Sequence, residues 1–234
     1  MTEQPPHIPR YAIYYTPPDG SDLAEFGAAW LGWDAAQGCA RAHPEIGGLP
    51  RPIAQITETP RKYGLHGTLK PPFYLAEGRR EDDLVTALRD AARDLRPAVM
   101  EGLELAQLGR FLALTARGDT ADLARVAGAL VERLDGFRAP PTQDEIARRN
   151  PAHLSAAQRA HLDRWGYPYV FDQFKFHITL TGKLPKSEAT ATGAILAPIL
   201  APLLPTPFEV RQVTLLRSDA QGRFAHMLRV PLGG

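Results

Sequence analysis

The chain repeats itself, and that restricts its fold more than any other feature. Ser21-Asp22-Leu23-Ala24 is echoed by Ala121-Asp122-Leu123-Ala124, His66-Gly67-Thr68-Leu69 by His177-Ile178-Thr179-Leu180, and Gly109-Arg110-Phe111 by Gly222-Arg223-Phe224. The echoes keep their order at offsets of 100, 111 and 113 residues, so the second copy carries extra residues. One short match arises by chance. Three in order, each in the same local setting, mark a duplicated unit.

That setting alternates strand and helix. Residues 11–16 are apolar and aromatic and read as a strand. Pro17-Pro18-Asp19-Gly20 reads as a turn. Ser21 then suits an N-cap before a helix whose stripe is Leu23, Phe26, Ala29, Trp30 and Trp33. The second copy matches with strand 111–116, turn 118–120 and a helix carrying Leu123, Val126, Leu130, Val131 and Leu134. Each copy then reaches its His-x-Thr strand (65–70 and 174–181), a helix (80–95 and 186–204) and a further strand (100–108 and 208–217). A last strand at 223–231 closes the chain. The expected fold class is α+β: one bilobal domain over residues 1–234, with two pseudo-symmetric sheet-and-helix lobes and a cleft between them. Repeat one covers about 11–108 and repeat two about 111–217. A helical insertion at 141–167, broken at Asn150-Pro151, reads as padding of the second lobe ahead of a lid.

Seven histidines occur, but only His66 and His177 share a motif. Strand side chains at i and i+2 point to one face. His66 and Thr68 therefore project together, with Lys70 following, while Leu65, Gly67 and Leu69 point into the core. Lys175, His177, Thr179 and Thr181 share the corresponding face of the second copy. Two imidazoles can divide the work of general base and general acid. Two threonine hydroxyls can hold phosphate oxygens, and Lys70 or Lys175 can offset negative charge. The pattern points to phosphoryl chemistry with His66, Thr68, His177 and Thr179 as catalytic residues and no cofactor. A metal reading is weaker, because zinc needs three or four ligands and no Asp, Glu or Cys sits in either motif. Two readings stand for Tyr15, core packing and substrate binding. Arg61, Lys62 and Tyr63 read as a solvated approach loop, and His226 as structural.

Charge excludes some partners. Against 26 Asp and Glu stand 27 Lys and Arg, a net charge of +1, which gives no electrostatic case for a long nucleic acid or an anionic membrane. A single cysteine, Cys39, rules out an internal disulfide framework. No leader or membrane segment is visible, so a cytoplasmic location is expected. No protein partner is implied.

Paired His-x-Thr strands half a chain apart resemble the 2H phosphoesterase superfamily, whose relatives include LigT-like RNA 2′,5′-ligases and 2′,3′-cyclic nucleotide phosphodiesterases. Residues 10–15, 31–34, 63–70 and 164–169 resemble the branch found in bacterial phosphonate-utilisation operons. The resemblance implies a bilobal fold, metal-independent opening of a cyclic phosphodiester, His66 and His177 as acid and base, and Thr68 and Thr179 as phosphate holders. It implies a small cyclic phosphate as partner, a 2′,3′-cyclic nucleotide or a cyclic ribose phosphate. Gly182 and Lys183 stand where some relatives place a tyrosine or arginine. The same residues also suit two rival functions: a nucleotide or phospho-sugar binding module without turnover, and processing or ligation of an RNA terminus.

Overall fold

The structure is a computed structural model that describes residues 7–149 and 151–233. The expected break at Asn150 and the polar start of the chain at 1–6 lie outside the described residues. The first half runs β1 (Arg10–Tyr15), α1 (Asp22–Leu31), β2 (Trp33–Asp34), β3 (Cys39–Ala40), α2 (Ile53–Ile56), α3 (Glu58–Arg61), β4 (Gly67–Tyr74), α4 (Glu81–Arg93), β5 (Ala98–Met100) and β6 (Gly102–Leu108). The second runs β7 (Phe111–Arg117), α5 (Ala121–Arg133), α6 (Gln143–Arg148), α7 (Ala156–Trp165), β8 (His177–Thr179), α8 (Lys186–Leu200), β9 (Phe208–Val210), β10 (Gln212–Ser218) and β11 (Phe224–Pro231).

Local signals explain several boundaries. The Ser21 hydroxyl accepts the Ala24 N–H, and α1 ends at Gly32 in the left-handed region at φ 73°. Trp33 therefore lies beyond the helix, where its indole N–H donates to the Phe224 carbonyl at 2.7 Å. The third echo marks two equivalent hairpins. Gly109 and Gly222 both adopt positive φ, 63° and 75°, in the turns that join β6 to β7 and β10 to β11.

The α+β class holds, but the lobes are not separate sheets. Seven strands form one sheet in the order β11-β10-β1-β4-β8-β7-β6. Strand β10, from the second copy, pairs with β1 of the first, while β6 of the first pairs with β7 of the second. The halves thus exchange a strand and join where β4 meets β8, at the pair Gly67↔Ile178. The two motifs lie side by side on one sheet instead of facing each other across a cleft.

The back of the sheet carries the main core. Tyr11, Ile13 and Tyr15 of β1 join Leu84 and Leu88 of α4, Val126 and Leu130 of α5, and Leu196 and Leu200 of α8. A smaller apolar cluster of Ala12, Tyr14, Trp33, Leu216 and Phe224 lies on the other face. Burial of these side chains, at about 1.5–3 kcal/mol each, is what fixes which face each motif presents. No helix among the described residues is long and apolar enough to cross a membrane.

Candidate active site

The meeting of β4 and β8 builds the site. With Gly67 opposite Ile178 in an antiparallel pair, His66 falls opposite Thr179 and Thr68 opposite His177. Directly opposed residues on one face sit about 5 Å apart. The two imidazoles and two hydroxyls thus form a diagonal square on the open face. Ile178 is fully buried behind it. Glycine is required at 67 because a Cβ there would overlap the Phe176 ring, which packs across the back of the strand pair.

Both histidines are held alike. His66 Nδ1 lies 2.9 Å from the Gly64 carbonyl, and His177 Nδ1 lies 2.9 Å from the Lys175 carbonyl. A carbonyl only accepts, so each Nδ1 carries a proton and each Nε2 is left for chemistry. The Tyr14 ring stacks on His66 at 4.0 Å between centroids, and Tyr63 flanks it at 5.6 Å. Phe111 flanks His177 at 5.9 Å. Burial drives the His66 imidazole down to about 4; the Gly64 hydrogen bond opposes the shift and the His177 charge adds to it. His66 is therefore neutral near pH 7. Burial raises the Tyr14 phenol well above its ordinary value, so this ring stays uncharged.

Two cavities flank the square. One, of about 230 Å³, is lined by His66, Thr68 and Thr179 with Arg10, Tyr14 and Tyr63 of the first half and Arg149 and Tyr167 of the 141–167 insertion. The other, of about 520 Å³, holds His177, Thr68, Phe111, Lys175, Tyr167 and Tyr169. Thr68, Pro71 and Tyr167 belong to both, so the cavities adjoin across these residues. The insertion is part of the site wall and does more than pad the lobe.

Three expectations are corrected. Lys70 does not share the face of His66 and Thr68. The register of β4 against β1 slips twice, between the pairs Tyr14↔Thr68, Ile13↔Lys70 and Tyr11↔Phe73. Each slip is a β-bulge, and the first reverses the alternation directly after Thr68. Lys70 is 2% exposed, and its Nζ donates to the Val131 carbonyl at 3.1 Å. Tyr15 is core: it packs edge-on against Phe208 and Phe176, on the side of β1 opposite Tyr14. Thr181, placed by alternation on the polar face, is buried because β8 ends at Thr179. Its hydroxyl accepts from the Leu112 N–H at 3.0 Å and donates to the Gly182 carbonyl at 2.9 Å. Lys175 is exposed at the rim of the larger cavity.

Sequence reasoning missed Tyr14, Tyr63, Arg10, Arg149 and Tyr167. Tyr14 was within reach: Ile13 and Tyr15 share one parity on β1, so the intervening tyrosine takes the other. Arg149 and Tyr167 reach the site by tertiary packing of the insertion, and local pattern carries no sign of it. Among the described residues, no group of three His, Cys, Asp or Glu side chains gathers to hold a metal.

A "Ribose 1,5-bisphosphate phosphokinase PhnN" from Janthinobacterium sp. (strain Marseille) is 35% identical over 231 residues, covering 96% of this chain and 51% of that protein. One of the same name from Laribacter hongkongensis (strain HLHK9) is 38% identical over 186 residues, covering 76% of this chain and 41% of that protein. The chain thus spans about half the length, or less, of the curated relatives it matches. A crystal structure of E. coli LigT complexed with 3'-AMP aligns with 97% of this chain and 100% of its own, at 16% identity and a TM-score of 0.43. The family described as "Protein of unknown function (DUF1045)" matches residues 68–225, more than half of the sequence, and this chain belongs to it.

Proposed function

We propose that the protein opens a small cyclic phosphodiester to a phosphomonoester, with His66 and His177 as paired acid and base. The observation that carries this reading is the β4–β8 register, which makes neighbours of two His-x-Thr pairs that are 111 residues apart in sequence. His66 is the general base. Burial holds it neutral, and its Nε2 lone pair takes a proton from an attacking water. The water oxygen bonds to phosphorus as one ring P–O bond breaks. His177 Nε2 donates its proton to the departing ring oxygen, leaving a free hydroxyl. The Thr68 and Thr179 hydroxyls donate to the non-bridging oxygens, where charge builds. One water is consumed, and proton exchange with solvent restores both imidazoles. Repulsion between the two rings favours the state with one proton, and burial disfavours a charge on His66.

The phosphokinase named for the longer relatives is better placed in the part of those proteins outside the match. No Gly-x-x-x-x-Gly-Lys-Ser/Thr phosphate loop occurs in these 234 residues. The Phn name of the relatives agrees with the phosphonate-operon branch that the sequence resembles, and a role in phosphonate metabolism is proposed on that basis.

The test is incubation of purified protein with chelator and 2′,3′-cyclic nucleotides, an RNA ending in a cyclic phosphate, and cyclic ribose phosphates, followed by phosphorus NMR. Ring opening that disappears in His66→Ala and His177→Ala is the expected result. Turnover that survives both substitutions refutes the mechanism. Calorimetric binding of a ligand that stays chemically intact would instead make the protein a sensor.

A further inference from the structure

A third cavity, of about 270 Å³, opens beside the smaller catalytic one and shares Arg10, Tyr63, Pro72 and Arg149 with it. Its wall adds Lys62, Arg138, Arg148 and Glu145. Arg138 is committed: it donates to the Asp135 carboxylate at 2.9 Å and to the carbonyls of Ala139 and Arg164. Glu145 is engaged by the capping box of α6, where its carboxylate accepts the Thr142 N–H at 2.9 Å. The other four cations differ. Among the described residues none of Arg10, Lys62, Arg148 and Arg149 pairs with a carboxylate, although most surface arginines of this chain do. Aromatic faces orient three of them without neutralising them. Arg149 lies 4.7 Å from the Tyr167 ring centre, Lys62 5.0 Å from that of Tyr63, and Arg10 5.5 Å from that of Phe224.

Four cations without a carboxylate partner among the described residues line one recess, against the single carboxylate of Glu145, in a chain of net charge +1. We propose that the recess holds a second phosphate of the substrate, a phosphomonoester on the same molecule as the cyclic phosphodiester. This rests on the function proposed above and narrows it to doubly phosphorylated small molecules. A dianionic monoester suits converging guanidinium groups better than a singly charged diester does. The recess adjoins the smaller cavity through Arg10, Tyr63, Pro72 and Arg149, so a phosphate held there lies close to the reacting groups. The insertion supplies Arg148 and Arg149, which gives the extra residues of the second copy a role in substrate choice.

The experiment compares kcat/KM for ribose 1,2-cyclic phosphate and adenosine 2′,3′-cyclic phosphate with their 5-phosphorylated forms. The phosphorylated member of at least one pair should be preferred by about tenfold or more, since one charge-assisted contact is worth that factor. Arg148→Ala and Lys62→Ala should each remove most of that preference. Equal rates in wild type, or a preference that survives both substitutions, overturns the proposal. An RNA ending in a 2′,3′-cyclic phosphate that loses as much rate as the small substrate also overturns it, because the recess then grips a backbone phosphate. Calorimetry with ribose 5-phosphate separates this proposal from the catalytic one. If no ring is opened but Arg148→Ala weakens binding about tenfold, the recess stands and the enzymatic reading falls. If wild type and both variants bind ribose 5-phosphate equally, or not at all, the recess is no phosphate site.

Discussion

Lys70→Met is the substitution that most sharply separates the structure from a reading of the sequence alone. If Lys70 offset phosphate charge, its loss would cut turnover by orders of magnitude. The structure places it behind the sheet, 2% exposed, with its ammonium against the Val131 carbonyl in the last turn of α5. That carbonyl has no partner within its helix, so the lysine caps a helix C-terminus. Burial nevertheless lowers its pKa to about 8, against an ordinary value of about 10.4, and each unit is worth about 1.4 kcal/mol. Keeping the charge at pH 7 therefore costs about 3 kcal/mol. Losing the hydrogen bond to Val131 costs about 1 kcal/mol. Methionine fills a similar volume without charge, so Lys70→Met should gain about 2 kcal/mol at pH 7 with unchanged kcat. The sign in pH follows from linkage. Between about 8 and 10.4 the unfolded chain binds more protons than the native one, so wild-type stability rises with pH across that window. The advantage of the variant should shrink across the same window. Urea unfolding at pH 7 and pH 10.5, with turnover measured alongside, tests both statements. A folded variant with tenfold lower kcat, or one less stable at pH 7 by more than 1 kcal/mol, refutes the argument.

Other consequences are more direct. The acid limb of kcat/KM against pH should fall near 4, the value to which burial drives His66; in kcat it should lie higher, because a bound phosphodiester anion favours the protonated ring. An acid limb in kcat/KM at 6 or above would take His66 out of the base role. Gly67→Ala should drive a methyl into the Phe176 ring, cost about 1–3 kcal/mol in thermal or urea unfolding, and lower kcat by displacing both catalytic pairs at once. Tyr15→Phe should leave KM within about twofold, because the ring packs in the core against Phe208, whereas Tyr14→Leu removes the ring stacked on His66 and should lower kcat about tenfold or more. Native stability should decline from pH 6.5 toward 4, as the unfolded chain protonates His66 and His226, which burial holds neutral down to about 4 in the native state; a flat unfolding free energy over that window would contradict it.

How far the sequence could be read depended on how far a period of two survives along each strand. The apolar back of each motif is legible because Leu65, Ile178 and Leu180 alternate with His66, His177 and Thr179, and burying that back fixes which face the histidines occupy. The alternation holds only while the ladder keeps its register. In β4 it fails right after Thr68, where a bulge turns Lys70 inward. Pro71-Pro72 gives a hint of that failure, since two residues without an N–H cannot continue a regular ladder. Parity on β1 was equally recoverable, but only by asking which of Tyr14 and Tyr15 agrees with Ile13. The exchange of β6 and β10 between the halves and the packing of the insertion against the cleft are long-range choices, which leave no local mark. The failure after Thr68 also decides where positive charge enters the site. With Lys70 turned inward, the exposed face of β4 beyond the motif is Pro71 and Pro72. Arg10 of β1 and Arg149 of the insertion then line the smaller cavity beside the square, and Lys175 lines the larger one. The bulge thus takes the lysine of the first copy out of the cleft, and the cations that line the cleft come from β1, from the inserted segment and from the approach to β8.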